Sequence, residues 1–467
     1  MARFDVIVIG GGVAGAVAAK KAADGGRRVA LVRAGGGASA HASGAFDVAG
    51  PPDPRKRREE GSPTDLDEAL RALLRLGPSH PYHLVSGGDL ATLRSLLEEA
   101  TGDLFEALGE AGLPYRGSLD RNLWLATPGG RVKETAFAQE PIAAGDLAAL
   151  ARARVLAVTL GDRPPEEARA VAAALRRELD FRGYFGVREI AGVAVESLPE
   201  GAGAAPDEVR IAAALDDEEA CARYVREAVV PAIAAAGGGR FTHALFPPVL
   251  GLREPAAVMR VFRRELGGLL PVETLALPPS VPGLRLEAAV GRVLAARGVT
   301  TIAGRAVEGE AAGGALRRLR VAGGGAAGAD GSAEWHEGLA FVLAAGRFLG
   351  SGLRAGNAVR EPLFGLPLAV PGTGRALDPY GPELRPEDVF RDRPFGRQPG
   401  ATLGVACEPD LRPRGPDGGP VFENLFAAGT VLAGADTIAE RSGLGVALTT
   451  GYVAGLNAAE AAQALAS

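Results

Sequence analysis

Apolar runs broken by glycines open the chain. Residues 6–9 (Val-Ile-Val-Ile) form an uninterrupted apolar, β-branched run, which predicts a strand buried on both faces. The run ends at Gly10, Gly12 and Gly15; residues 14–23 then read as a helix, and a second apolar run covers 29–32 after Gly25 and Gly26. Strand, glycine-rich turn, helix, strand is the unit that holds the pyrophosphate of a dinucleotide. In that unit Gly10 makes the tight turn, Gly12 lets phosphate approach the backbone and Gly15 packs helix against strand. The helix N-terminus offers N–H groups and a positive dipole end. The second strand of such a unit usually ends in Asp or Glu, which holds a ribose, but here Arg33 stands there. Arginine cannot accept those hydrogen bonds; it either meets a phosphate or points to solvent. The unit alone leaves NAD and FAD both open.

Downstream, residues 34–47 form a small-residue loop able to wrap closely around a flat ligand, which makes Ser39, His41, Ser43 and Gly44 candidates for contact with it. Residues 51–61, Pro-rich and charged, read as a solvated linker, and Ser62-Pro63 as N-cap and first residue of a helix reaching Leu76. His80-Pro81-Tyr82 reads as a turn. Leucines at helical spacing (Leu90, Leu93, Leu97, Leu104, Leu108) predict a helix over 89–111. From residue 155, strands at 155–160, 190–195, 242–246 and 272–276 alternate with helices at 165–179, 216–235 and 255–266. Such alternation predicts a largely parallel sheet. A helix at 286–297 and a strand at 299–302 follow. Strands at 316–321 and 335–341 flank a Gly/Ala-rich hairpin tip over 322–333.

The fold class that results is α/β: a Rossmann-like FAD/NAD(P)-binding flavoprotein domain, discontinuous in sequence, with an inserted α/β domain. Its expected division is 1–50, the first part of the nucleotide domain; 51–150, a helical linker and cap region; 151–280, the inserted α/β domain; 281–350, the second part of the nucleotide domain; 351–415, a segment facing substrate or partner; and 416–467, the C-terminal part of the nucleotide domain.

Two later segments turn a nucleotide fold towards a flavin. Leu343-Ala344-Ala345-Gly346 resembles the strand-turn by which flavoproteins return to the sheet beside the N-terminal unit. Asn424-Leu-Phe-Ala-Ala-Gly429-Thr430 resembles their second signature, a strand ending in Gly where the ribityl chain passes. Asp usually follows that Gly; Thr430 can make one hydrogen bond there, though not as a carboxylate would. Ser442-Gly443-Leu444-Gly445 heads a final helix. It fits a helix N-terminus aimed at the flavin ring, whose dipole stabilises negative charge on the reduced pyrimidine. Each segment alone reads equally as a core strand or a capped helix; their order along the chain carries the flavin reading.

Composition narrows the partners. The 467 residues suggest two or three domains, and 47% hydrophobic with 23% charged residues is the balance of a globular protein. A net charge of -5 gives no reason to expect nucleic acid. Two cysteines, Cys221 and Cys407, neither build a disulfide framework nor hold an iron–sulfur cluster, which takes about four. The start shows no export signal, and the longest charge-free stretch, 442–459, reads as a buried glycine-rich helix rather than a membrane span. No histidine pair has metal-ligand spacing, so no metal is expected. Histidine titrates near neutrality, so His80 and His41 are the candidate acid/base groups. Arg253, Arg285, Arg360 and Arg441 are candidates to meet an anion, since guanidinium matches phosphate with a bidentate fork.

Several stretches together resemble one family, the B subunit of anaerobic glycerol-3-phosphate dehydrogenase. They are residues 4–15, Ser43-Gly44-Ala45-Phe46-Asp47, His80-Pro81-Tyr82, 277–286 (Leu-Pro-Pro-Ser-Val-Pro-Gly-Leu-Arg-Leu), 360–366 (Arg-Glu-Pro-Leu-Phe-Gly-Leu), Leu403-Gly404-Val405, Leu411-Arg412-Pro413 and 423–429. The Pro-Pro-Ser-Val and Arg-Glu-Pro stretches are the specific ones. The resemblance implies oxidation of sn-glycerol 3-phosphate to dihydroxyacetone phosphate, with electrons passed to a quinone. It implies an A-type FAD subunit and a C-type iron–sulfur subunit docking the pair to the membrane, so a cytoplasmic chain, peripheral on the inner face. It implies FMN, while the dinucleotide-type turn implies FAD. Arg285 and Arg360 lie in the family stretches and would meet the substrate phosphate. Two other readings are a non-catalytic electron-relay or assembly subunit of that complex, and a stand-alone flavin dehydrogenase or reductase. Arg441, Ser442 and Leu444 depart from the family, which is richer in Gly and carries a Cys near that turn.

Overall fold

The computed structural model describes residues 2–51, 61–161, 163–203, 207–323, 333–371, 389–390, 392 and 398–466. The core of the expected linker (52–60) and most of the expected hairpin tip (324–332) lie outside the described residues. The chain forms two compact units, one of Met1–Ser39, Leu70–Leu104 and Val290–Ser467, the other of Ala40–Ala69 and Phe105–Ala289.

In the first unit the opening strand Ala2–Ile9 runs parallel between Val29–Arg33 and Glu334–Leu343, with Val6 opposite Val29 and Ala340. Leu425–Ala427 adds in parallel beyond Glu334–Leu343, and residues 300–303 add beyond Val29–Arg33. Val6, Ile7, Val8 and Ile9 are all buried, as an apolar run in a parallel sheet requires. Burying each side chain contributes roughly 1.5–3 kcal/mol. The Thr300–Ala312 strand is much longer than the expected 299–302. Its second half leaves the parallel sheet and pairs antiparallel with Ala315–Gly323, which pairs in turn with the first half of Glu334–Leu343. Buried Asn424 fastens that excursion to the sheet. Its Oδ1 accepts from Leu316 N at 2.8 Å, and its Nδ2 donates to the carbonyls of Leu316 and Leu339 at 2.8 and 2.7 Å. The terminal helix Gly443–Ala466 lies directly on the opening helix Val13–Asp24. A Cβ at Gly451 or Gly455 would come within 2.5 Å of the Ala14 carbonyl oxygen or 2.7 Å of that of Ala18, so backbone meets backbone.

The second unit holds a parallel sheet in the order Leu270–Glu273, His243–Phe246, Arg154–Leu160, Glu189–Val195. Short antiparallel strands also occur, Leu123–Ala126 with Val132–Thr135, and Phe137–Gln139 with Ala45–Phe46 and Tyr115–Gly117.

Several boundaries differ from the sequence expectation for local reasons. The first interior helix runs over Leu66–Leu74 rather than from Pro63. Asp65 takes the capping role, its Oδ1 accepting from Glu68 N at 2.9 Å, because Thr64 is drawn inward to Glu134. The expected 216–235 helix is interrupted by a π-helical turn at Val225–Val229, between Glu218–Tyr224 and Val230–Ala235. The expected 286–297 helix begins five residues earlier, at Val281. Ser280 caps it by accepting from Gly283 N at 3.0 Å, and Pro282 sits in the first turn, where proline needs no hydrogen bond. His80 heads a helix, Pro81–Ser86, rather than a simple turn.

Candidate dinucleotide site

Three glycines at the end of the opening strand have separable roles. Gly10 has φ +116°, and a Cβ there would overlap the Ala344 carbonyl; a Cβ at Gly15 would overlap the Gly10 carbonyl. Both are demanded by the protein's own packing. Gly12 is not: its φ is -74°, and a Cβ there would meet nothing nearer than Ser39 Oγ at 3.5 Å. The open face above Gly12 is therefore a cradle that a side chain would fill, as a phosphate group requires. Val13 N donates to Ser39 Oγ at 3.1 Å. That leaves the Ser39 hydroxyl hydrogen to donate elsewhere at the helix N-terminus.

The neighbouring strand ends close the cradle. Ala344 N donates to the Ile9 carbonyl at 2.8 Å, and Ala428 N to the Leu343 carbonyl at 2.9 Å. Gly346 (φ +68°) faces Thr430, whose Oγ1 lies 3.5 Å from where a Cβ would stand. Gly429 (φ +78°) donates its N–H to Thr450 Oγ1 of the terminal helix at 2.8 Å and packs on Ala14. Gly10, Gly12, Gly15, Ser39, Ala345, Gly346, Gly429 and Thr430 thus gather at the carboxyl ends of three adjacent parallel strands, where doubly wound sheets bind ligands. Arg33 lies along the same turn. A Cβ on Gly11 would sit 3.0–3.3 Å from the Arg33 side chain, and Nε of Arg33 donates to the Gly35 carbonyl at 3.3 Å. The second strand therefore ends in a guanidinium folded back on its own turn.

The segment before the terminal helix is held by a buried polar network. Ser442 is fully buried, its carbonyl accepting from Val446 N at 2.8 Å and its hydroxyl donating to Glu440 Oε2 at 3.0 Å. Gly443 and Gly445 follow in the first turn. Glu440 Oε1 accepts from Asp436 N at 2.9 Å. His80 is 1% exposed; its Nδ1 accepts from Tyr82 N at 3.1 Å and its Nε2 faces Glu440 Oε2 at 3.2 Å. Burial works against ionisation of Glu440. His80, the Asp436 N–H and the Ser442 hydroxyl outweigh it and hold the carboxyl below its ordinary range. Both ring nitrogens of His80 are engaged inside the protein, so neither is free for the acid/base role expected of it. Arg347 adds its two Nη atoms to the carbonyls of Ala401 and Ala435. Glu440, Arg347 and Thr450 were not singled out from sequence, and Asn424 was named only as the first residue of the flavin-like segment. Only Asn424 and Glu440 gave a signal, by standing directly against the flavin-like strand and the Ser442 turn.

The remaining expected residues, Arg360 apart, belong to the second unit. Ser43 accepts at its carbonyl from Ala276 N at 2.9 Å. Gly44 (φ +93°) is glycine for packing, since a Cβ would press on Ile142 and lie 3.0 Å from Pro282 Cβ. His41 is exposed at the end of the short Ala38–His41 turn. Arg285 is corrected as a phosphate ligand. Its guanidinium is buried and bonded to both Glu273 oxygens at 2.7 and 3.0 Å and to the Gly251 carbonyl at 2.7 Å. Arg360, in the first unit, is exposed on the two-residue strand Val359–Arg360.

Comparison with known proteins places this geometry in a family. Residues 5–446 match the FAD binding domain family model. The probable B subunit of anaerobic glycerol-3-phosphate dehydrogenase from Halobacterium salinarum is 33% identical over 433 residues, 90% of each chain. The corresponding B subunit of Pectobacterium carotovorum is 30% identical over 472 residues, 96% of each. Among solved structures, the open conformation of a flavocytochrome c3 fumarate reductase aligns at 12% identity with a TM-score of 0.42, covering 99% of this chain and 79% of that one. That likeness is too loose to bear on the site. The fold is the expected α/β FAD-binding flavoprotein fold and the cofactor is a flavin; the family match sides with FAD over FMN. No helix among the described residues is long and apolar enough to cross a membrane. The chain is a flavoprotein of the FAD binding domain family and, within it, a member of the family of anaerobic glycerol-3-phosphate dehydrogenase B subunits.

Proposed function

We propose that this chain is the flavin-carrying B subunit of a quinone-linked glycerol-3-phosphate dehydrogenase, oxidising sn-glycerol 3-phosphate to dihydroxyacetone phosphate. The observation that supports it most is near-full-length relationship to subunits of that name, joined to an open face at Gly12 on the N-terminus of the opening helix. A bound flavin supplies the two-electron acceptor for the hydrogen leaving C2 of the substrate. In this reading Gly12 and Ser39 receive the pyrophosphate, Gly346, Gly429 and Thr430 border the ribityl chain, and the N-terminus of the terminal helix faces the ring. Of the two arginines in the family stretches, exposed Arg360 is the candidate for the substrate phosphate, and His41 is the candidate for the proton of the C2 hydroxyl. Electrons leave through an iron–sulfur partner that also holds the pair, with its A-type subunit, at the inner face of the membrane.

A relay reading, in which the A-type subunit performs the oxidation, is favoured by one observation: His80 and Arg285 are both sealed in the interior. Chromatography of the released flavin and anaerobic titration of the isolated protein with glycerol 3-phosphate separate the two. Bleaching of this chain alone is the expected result. Bleaching only after the A-type subunit is added would assign the chemistry there, and absence of flavin would sink both.

A further inference from the structure

The end of the helix Pro165–Phe181 in the second unit shows two aromatic side chains to solvent. Phe181 is 58% exposed and Phe185 74%, whereas Leu175 and Leu179 on the inner face of the helix are fully buried. Looseness of the chain does not account for this. Gly183, at φ +66°, closes the helix; its N–H donates to the Asp180 carbonyl at 3.0 Å, and Tyr184 N donates to that of Leu179 at 2.9 Å. The loop beyond is tied down on both sides. The Arg176 guanidinium donates to the Tyr184 and Val187 carbonyls at 3.1 and 2.6 Å. Arg152 N donates to the Gly186 carbonyl at 2.7 Å, and Arg188 N to that of Ala153 at 2.8 Å. Tyr184 turns inward, edge-on to buried Trp124 with ring centroids 5.5 Å apart, its hydroxyl donating to the Ala148 carbonyl at 3.0 Å. Its neighbour Phe185 is thereby held outward by a well-bonded loop.

The charge around these rings has one sign. Arg152, Arg177 and Arg188 are exposed and form no ion pair among the described residues. Arg177 and Phe181 stand one helical turn apart on the same side. The carboxylates of this segment are already taken by other arginines: Glu178 by Arg131 and Arg182, Asp180 by Arg176, and Glu189 by Arg240. The three guanidinium groups are therefore unopposed, on a chain whose net charge is -5. An anionic surface is repelled by the chain as a whole and attracted by this face, which fixes the orientation of approach.

Size decides between occupants. Two rings and three arginines fall far short of the roughly 20–30 residues a side that a stable protein interface takes. A bilayer needs no matching contour: aromatic side chains enter its interfacial layer while arginines meet its phosphates. We propose that this face is a docking surface for an anionic lipid bilayer, with Phe181 and Phe185 entering the interfacial layer and Arg152, Arg177 and Arg188 meeting lipid phosphates. The contact is this chain's own, separate from any attachment through another subunit. It stands apart from the flavin reading, since all of these residues lie within Phe105–Ala289.

The test is sedimentation of the flavin-loaded full chain with sucrose-filled vesicles of phosphatidylcholine, alone or with about 30% phosphatidylglycerol to supply a negative surface potential. Binding to the anionic vesicles should exceed binding to the neutral ones by at least about tenfold, each arginine contributing roughly fivefold. It should fall steeply between about 0.05 and 0.5 M salt. Phe181→Ser combined with Phe185→Ser should weaken it by at least about tenfold, and Arg177→Gln or Arg188→Gln by roughly fivefold each. All of these positions are exposed, so flavin content and urea midpoint should match the parent protein. Leu465→Ser, at an exposed position of the first unit, should leave vesicle binding unchanged. No binding up to about 5 mM lipid, a preference below about tenfold, or binding indifferent to the phenylalanine or the arginine variants would each overturn the assignment. A chain that ignores bare vesicles and sediments with them only after another subunit is added would overturn it in favour of a protein partner.

Discussion

His80 Nε2 and Glu440 Oε2 lie 3.2 Å apart across 360 residues of sequence, and the His80 side chain is wholly buried. Because the folded-state carboxyl of Glu440 is depressed, its contribution is fully present above the unfolded carboxyl value, about 4.3. That contribution is lost as pH falls through the lower folded value. Glu440→Gln should therefore cost about 1.5–3 kcal/mol near neutrality, the range for a hydrogen bond to a charged group. The gap to the parent protein should shrink below about pH 4. Circular-dichroism melts across that range decide it; a gap that persists unchanged into acid would mean that the Glu440 carboxyl is not ionised as described.

The three opening glycines should respond differently to alanine. Gly12→Ala has room for its methyl, so folding should be nearly unaffected while flavin affinity falls at least about tenfold as phosphate approach is blocked. Gly15→Ala drives a methyl into the Gly10 carbonyl and should destabilise the protein itself by about 1–3 kcal/mol or more. Urea midpoints of flavin-stripped protein, set beside flavin content, distinguish the two.

Arg285 and Glu273 form a buried bidentate pair. Arg285→Leu should cost about 3–5 kcal/mol by stranding the carboxylate, and adding Glu273→Leu should recover much of it. A double variant no more stable than the single one would show that the pair is not coupled as the geometry implies.

Neither cysteine should react in the native protein. Both are buried; burial pushes the Cys221 thiol up to about 12 and raises Cys407 as well, and the thiolate is the reacting form. A thiol reagent at pH 8 should modify neither until denaturant is added, when both should react together. Modification of either one in buffer would contradict the packing around it.

The elements legible in sequence were those whose burial forces a pattern. Val-Ile-Val-Ile at 6–9 could only be a strand covered on both faces, and Gly10, Gly12 and Gly15 fixed the turn that follows. The alternation after residue 155 gave the second unit's parallel sheet for the same reason. What stayed hidden depended on distant partners. Nothing near Arg285 in sequence announces Glu273, and nothing near His80 announces Glu440, so the sequence could not show that both side chains are bonded inside the protein. The cap at Asp65 was masked by an equally good local signal at Ser62, and the π-helical turn at Val225–Val229 by an apolar pattern that reads as continuous helix.

The direct seat of the terminal helix on the opening helix, through Gly451 and Gly455 against Ala14 and Ala18, makes the Gly10–Gly15 turn depend on a helix distant in sequence. The same terminal helix supplies Thr450 to the Gly429 N–H, so a bulky residue on its inner face would disturb the opening turn and the Gly429 turn together.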